Sequence, residues 1–594
     1  MLSSSWTSPL FPYAYGYDAS WYSLGGRAIL AGEVPYRDFF DLKGSLLFFY
    51  EAFGQLFFKG RNGIFFIQCI SISFTVYYMW KLSRLYLRVW QSIFVLVAFY
   101  YVYVSPLWGG NTAEELFMPF NMMALYYGIR YMREASGAES VEKKPLSEDI
   151  AGIEAEGNTE TIVPNGAEEK PLTENIAGIE AEGNTEAIVP NGAEEKPLSE
   201  NIAGIEAEEN TEAIVPEGAE EKPLSENIAN IEAEEDTEDE ELEENRPAIE
   251  NCEWPSYIFG IGFAVMGLSK VTVAATLVAV VLTIIGFLAV KRRWGLILKC
   301  AMYFFLGVGT VLLPVFAYFA MNGALQDFIF CTFLFAFKRS TDYYEAFSFN
   351  WERQLLICYI SFFVGVCYRR DRREDGALQA LLIVTSLVVY GLLHLGTPYP
   401  YYFIGLMPLF CLLTVLFLDY LNKEFMDAKI SWIGDPESPA VVLPKLSLRL
   451  AVFFLLYLGI IIFYYGDTSN KVNENIYIFC DEVGKTQVED CKEINELIPP
   501  WDRDEVYNLE SGMIYYEVNQ LLPANKYPVN LPYFLHLHPP IKEEVLNYLH
   551  NVRPRWIISE NMDGFDDEDV KAYVFSNYEI VASNSGEELY RIKD

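Results

Sequence analysis

Three carboxylates and three cations crowd the stretch YDASWYSLGGRAILAGEVPYRDFFDLK, residues 17 to 43. They are Asp18, Asp38 and Asp41 against Arg27, Arg37 and Lys43. Carboxylates accept protons and cations hold anions, so such a set beside apolar, lipid-length segments suits chemistry on a charged substrate at a membrane face. A local reading competes with this. Asp18 can cap a helix running from Ala19 to Ala31 and closed by Gly32, and Asp41 can cap the next one. Cap and catalytic base both stay open for Asp18, since one side chain can serve as either.

Two further polar groups mark ends of apolar runs. Asn111-Thr112-Ala113-Glu114-Glu115 opens one run after SPLWGG, and Ser269-Lys270 ends another. The loop from residue 322 to 350 adds GALQDF and Lys338-Arg339. Ionisable groups at a membrane boundary are costly and mark functional candidates. Acids in a first helical turn (Glu114, Glu115) and a snorkelling lysine (Lys270) are the structural alternatives.

These groups need a scaffold, and composition says which kind. The 594-residue chain is 52% hydrophobic and carries a formal charge of −38, most of it in one block. Between Glu134 and Glu250 there are 36 Asp/Glu against 6 Lys/Arg. The rest is a strongly apolar protein. Acidity of this kind excludes nucleic acid as a partner, because phosphates require a basic surface.

Apolar runs long enough to cross a hydrocarbon core as helix recur about ten times. They fall at 63–83, 89–108, 114–131, 255–269, 271–290, 296–319, 353–369, 376–395, 402–420 and 449–466. The pair at 255–290 can also be one long buried hairpin. Lys81, Arg84 and Arg88, then Arg130 and Arg133, Lys291 to Arg293, Arg369 to Arg373, and Lys423 to Arg449 place basic residues on every second loop. Those loops are expected in the cytoplasm and both termini outside. No span precedes Asp18, so an outside N-terminus implies a first span upstream of Met1. GSLLFFYEAFGQLFFK, after Lys43, is too short to span. Its Glu51, Gln55 and Lys59 form one polar stripe, which predicts a helix lying in the interface plane.

The sequence divides into a membrane part at 1–133, an insert at 134–253, a second membrane part at 254–465 and an extracytoplasmic α/β domain at 466–594. The insert repeats a 26-residue unit, with Pro145, Pro171, Pro197 and Pro223 in register. It has no aromatics and few large apolar residues, so it is expected to be a disordered cytoplasmic spacer. In the last region NIYIF, RWIIS and YEIVAS read as strands, with IKEEVLNYLHNVR as an amphipathic helix between the first two. Cys480 and Cys491 there can pair or simply be buried. His536 and His538 lack a third ligand and read as surface or core residues.

YDASWYSLGGRAILAGEVPYRDFFDLKG resembles the first outer loop of GT-C-type membrane glycosyltransferases. This superfamily includes the protein O-mannosyltransferases and lipid A aminoarabinose transferases, and the bacterial cell-envelope branch is the closest in pattern. TAEELFMPFNMMA resembles their second acidic motif, and GLSK their lysine-bearing helix end. NGALQDFIFCTFLFAFK and YPYYFIGLMPLF resemble later segments. Two positions depart: Lys43 is followed by Gly-Ser where a Pro is usual, and Tyr401 stands where many members have His. The resemblance implies a polytopic α-helical GT-C fold that moves a sugar from a polyprenyl-phosphate donor to a hydroxyl on a glycan, lipid or protein acceptor. Transfer would occur at the outer membrane face with inversion, and a polytopic lipid or sugar transporter is the alternative. On that reading Asp18, Asp41, Glu114 and Glu115 are the catalytic candidates. Lys43, Lys270, Arg37 and Arg339 are the candidates for the donor phosphate. Some members use a divalent cation (Mg or Mn), which this sequence neither requires nor excludes.

The charge pattern gives a direct test of sidedness. Protease added to intact spheroplasts should clip the chain beyond Gly466 and spare the repeats; cleavage between residues 145 and 245 would overturn the topology.

Overall fold

The computed structural model describes residues 2–13, 16–107, 109–136, 252–335, 355–367, 375–394, 399–433, 448–479, 482–509, 513–529, 531–584 and 587–593. The described residues form one compact unit, within residues 1–143 and 249–594. The repeats and Arg339 lie outside the described residues.

The first helix, α1 (Tyr17–Leu30), begins after Gly16, whose extended backbone provides the entry with no side-chain cap. Asp18 is therefore the second helical residue and not the cap. Gly32 ends the helix as expected, at a φ of +98° that residues with a Cβ rarely adopt. The next helix, α2 (Ser45–Phe57), is capped by Gly44, so Asp41 is no cap either. Its polar stripe is turned the other way from the interfacial expectation. Glu51 and Gln55 are buried against the protein, while Phe53, Leu56, Phe57 and Phe58 face outward. A polar stripe shows only that polar and apolar residues segregate. Beside a membrane the apolar face is the one that points away from the protein.

Helices α3 (Arg61–Ser83) and α4 (Val89–Val104) follow, then the short α5 (Ala113–Leu116) and α6 (Met118–Ser136). Among the described residues seven helical segments are long and apolar enough to cross a membrane: Arg61–Ser83, Val89–Leu107, Val271–Val290, Trp294–Met321, Gly376–Leu393, Tyr401–Lys423 and Ala451–Asn470. The chain is a multi-pass membrane protein. The other three predicted spans are also helices: α6, which carries several charges, and the shorter Glu253–Gly267 and Leu356–Cys367. Tyr401–Lys423 is 89% buried, which makes it a central helix, whereas Trp294–Met321 is only 6% buried and sits at the periphery.

One contact fixes the end of this bundle that carries Lys43 and Lys270. Gly44 N donates to Ser269 O at 2.9 Å and Leu46 N to Leu268 O at 3.1 Å, stitching the start of α2 to the turn after Glu253–Gly267. A Cβ on residue 44 would overlap the Leu268 carbonyl, so only glycine permits this approach. A proline there would also remove the N–H that reaches Ser269. Gly44 therefore has a physical reason where the family pattern has proline.

The C-terminal region holds a four-stranded sheet of order β1-β2-β4-β3, built from β1 (Tyr507–Leu509), β2 (Trp556–Ser559), β3 (Tyr578–Asn584) and β4 (Glu587–Ile592). β1 and β2 are parallel and the other pairs antiparallel. RWIIS and YEIVAS are strands as expected, and Pro539–Val552 is the predicted amphipathic helix. NIYIF is not a strand. It ends the 32-residue helix Leu448–Phe479, where no proline interrupts a helix already nucleated by the apolar run. The strand that starts the parallel pair is Tyr507–Leu509 instead, three buried residues too short to show alternation. Cys491 is a buried free thiol, and Cys480 lies outside the described residues.

Gly44→Ala should force the two segments apart. Overpacking of this kind costs about 1–3 kcal/mol, so the variant should unfold at lower temperature in detergent. A wild-type melting curve would show that the seam has slack.

Candidate active site

Asp18 is presented by the first turn of α1. Lys43 Nζ lies 3.1 Å from Asp18 Oδ1, and the Tyr401 hydroxyl donates to Asp18 Oδ2 at 3.0 Å. The carboxylate is enclosed on most sides, yet 33% of its side chain stays exposed, so it is partly open. Burial opposes its ionisation. The Lys43 charge and hydrogen bond, the Tyr401 hydroxyl and the Lys270 charge together outweigh burial and hold the carboxyl below its ordinary range. Asp18 is an anion at neutral pH.

Lys270 forms the second half of the cluster. It pairs with Glu114 Oε1, and the two side chains are 17% and 4% exposed. Burial alone would strip its proton, but Glu114, Tyr402 and Asp18 reverse that and keep the ammonium charged above the ordinary lysine value. Its Nζ lies 3.5 Å from the Tyr402 ring centre and 5.0 Å from that of Tyr401, while Lys43 Nζ lies 4.3 Å from the Tyr22 ring. Aromatic faces attract cations without neutralising them, so both ammonium groups remain available to an anion.

Of the eight sequence-predicted residues, the structure brings together Asp18, Lys43, Lys270 and Glu114. Asp41 is buried behind them: it accepts from the Trp21 indole N–H and from the backbone N–H groups of Leu42 and Lys43, so it shapes the turn that aims Lys43. Glu115 faces inward. It accepts from the Tyr103 hydroxyl at 2.6 Å, Gln68 Nε2 at 2.9 Å and Asn111 N at 2.8 Å, while Thr112 caps α5. Burial raises its carboxyl despite these donors. For Glu115 the helix-end reading is therefore the better description. Arg37 is exposed and pairs with Asp38 and the Asn322 carbonyl, away from the lysine cluster. Arg339 lies outside the described residues.

Three groups were not singled out from sequence: the Tyr401-Tyr402 pair, Tyr22 under Lys43, and Glu517. The position of Tyr401 in YPYYF, where a polar His was expected, was the signal for the first. Glu517 could not be placed from sequence, because its partner Arg27 is 490 residues away; the pair is 3.0 Å long and nearly buried. A polar cavity of about 510 Å³ opens at this other end of α1, lined by Arg27, Glu33, Asp38, Asp504 and residues 520–526. Neither lysine of the cluster lines it.

No family model matches the chain, and no curated protein does. Among solved structures the chain is similar to ArnT from Cupriavidus metallidurans, in its crystal structure bound to undecaprenyl phosphate. The likeness covers 99% of this chain and 96% of that one, with 10% identity and a TM-score of 0.50. At that identity the likeness is one of fold. It agrees with the motifs read between residues 17 and 43: the chain has an ArnT-like, polytopic helical fold.

Proposed function

We propose that this protein is a membrane glycosyltransferase that moves a sugar from a polyprenyl-phosphate donor to an acceptor hydroxyl at the outer membrane face. The observation that carries the reading is the cluster itself: a carboxylate flanked by two ammonium groups, partly open, at the ends of membrane helices. The solved neighbour with this fold holds undecaprenyl phosphate, which is the chemical class of carrier the two lysines suit.

Lys43 and Lys270 hold the donor phosphate and stabilise its charge as the sugar leaves. At rest each is balanced by a carboxylate, Lys43 by Asp18 and Lys270 by Glu114. A bound phosphate competes for the same ammonium groups. Drawing Lys43 away removes the main attraction that depresses Asp18, so donor binding raises its basicity when a base is needed. Asp18 then takes the proton of an acceptor hydroxyl as the oxygen attacks the sugar carbon from the face opposite the phosphate, inverting that centre. No group of three or more His, Cys, Asp or Glu side chains converges among the described residues, and Asp18 and Glu114 already face ammonium groups.

Asp18→Asn keeps the shape of the side chain and removes its basicity. The variant should insert and bind donor but lose at least about 100-fold in rate. Lys43→Ala and Lys270→Ala should weaken donor use. Because Asp18 is held below the ordinary carboxylate range, wild-type kcat/KM should persist into acid where an isolated carboxyl would already be protonated. The assay is transfer from a radiolabelled polyprenyl-phosphate sugar in membranes. An Asp18→Asn enzyme at wild-type speed removes Asp18 as the base.

A further inference from the structure

Glu51 is a buried acid that the reaction above does not use. It is fully buried in α2, and among the described residues neither carboxyl oxygen makes a hydrogen bond of ordinary geometry, although the Asn111 amide lies close enough to act on it. Leaving an ionised carboxylate in that condition is prohibitive, so the group must be neutral or paired. The groups that face it are Asn111 and Glu115 from the segment entering α5, Glu517 from the C-terminal region, and Tyr50 on its own helix. Glu517 has cations of its own, Arg27 in contact and Arg61 by charge. Among the described residues Glu51 therefore faces two other carboxyls, Glu115 and Glu517, and no ammonium or guanidinium group in contact. Burial first, with the Glu517 and Glu115 charges adding and the Asn111 amide opposing, pushes its carboxyl up to about 8.

Asn111 is the second half of the observation. Its Oδ1 is buried and without a partner. Its N–H donates to Glu115 Oε2 at 2.8 Å, and its Nδ2 reaches the Ala19 carbonyl at 3.4 Å. Asn111 thus ties the residue after Asp18 to the segment that carries Glu114. α1 also rests directly on Glu51, since a Cβ on Gly26 would press on the Glu51 Cβ and backbone.

We propose that Glu51 is a positioning residue for the transfer reaction, acting in its protonated form by donating to Asn111 Oδ1 and so fixing Asp18 relative to Glu114 and Lys270. A neutral acid supplies the O–H that the orphaned amide oxygen lacks. An ionised one repels Glu115 and Glu517, takes the Asn111 amide for itself and loosens the junction. The inference rests on Asp18 as the base, and it gives the enzyme an alkaline limit that comes from neither lysine.

The experiment compares full-length wild type and Glu51→Gln in detergent, by transfer rate and by thermal unfolding, from about pH 5 to 9. Gln is neutral at every pH and can still donate. Glu51→Gln should keep its rate near neutrality within about twofold and lose the wild-type decline centred near pH 8. Stability provides a readout that needs no substrate. Folded Glu51 holds its proton up to about 8, whereas the unfolded side chain releases it near 4.3. Wild-type stability must then fall as pH rises between those values, because the folded state binds the extra proton. Glu51→Gln should lose the part of that slope due to Glu51, while Glu115 and Glu517, whose carboxyls burial also raises, keep theirs. A variant whose rate and melting follow the wild-type pH profiles overturns the proposal, as does one that loses the Glu51 part of the slope in melting but keeps the alkaline decline in rate. If the wild type itself transfers no sugar, the glycosyltransferase reading falls and takes this one with it.

Discussion

The end of the bundle that carries Lys43 and Lys270 depends on two backbone hydrogen bonds, from Gly44 to Ser269 and from Leu46 to Leu268. They place the residue after Lys43 against the residue before Lys270, and so bring two ammonium groups toward one carboxylate, Asp18, from segments more than 200 positions apart. Like charges held this way repel, and in a partly desolvated site that repulsion is several times what it is in water. The seam persists because each lysine meets a carboxylate and an aromatic face: Asp18 and Tyr22 for Lys43, Glu114 and Tyr402 for Lys270. Backbone geometry sets the positions, and charge alternation makes them tolerable.

That arrangement is neutral at rest and poised toward anions. Two carboxylates balance two ammonium groups, so an entering anion would meet donors whose partners are anions rather than water. Tyr401 links the halves, since its hydroxyl holds Asp18 while its ring lies within reach of Lys270. A histidine in its place would add a titrating group to the cluster. The tyrosine fixes Asp18 through a neutral hydrogen bond, leaving the charge balance to the four ionised groups.

Much of this was legible in the sequence, and the misses share a cause. Lipid-length apolar runs announce helices because a bilayer leaves few other ways to satisfy backbone polar groups. Charged residues in such a chain stand out, which is why Asp18, Lys43, Glu114 and Lys270 could be named. Direction was not legible. Glu51 and Gln55 were read as facing water, and they face the protein. Arg37 lies six residues before Lys43 in sequence but turns to the surface with Asp38. The spacing of Asp18 from Gly32 suits a cap on a helix starting at Ala19, and only the extended Gly16 backbone shows that the helix starts two residues earlier, at Tyr17. NIYIF has the residue types of a strand, but it continues a helix that the preceding run had already begun.

The C-terminal region enters this logic as a structural wall of the site. α1 is held at its Asp18 end by Lys43 and Tyr401, and at its Arg27 end by Glu517, whose other carboxyl oxygen accepts from Ser23 at 3.1 Å. Breaking a buried pair by removing one partner typically costs about 3–5 kcal/mol, since the survivor is stranded without water. Phe40, just before Asp41, adds a backbone bond to the Lys526 carbonyl and packs on Tyr527 and Phe534. The loop that presents the lysine and the helix that presents the carboxylate are therefore both anchored to the same C-terminal segments. A charge cluster at a membrane surface needs such anchoring, because the bilayer supports helices along their length but gives no lateral hold to loops at their ends.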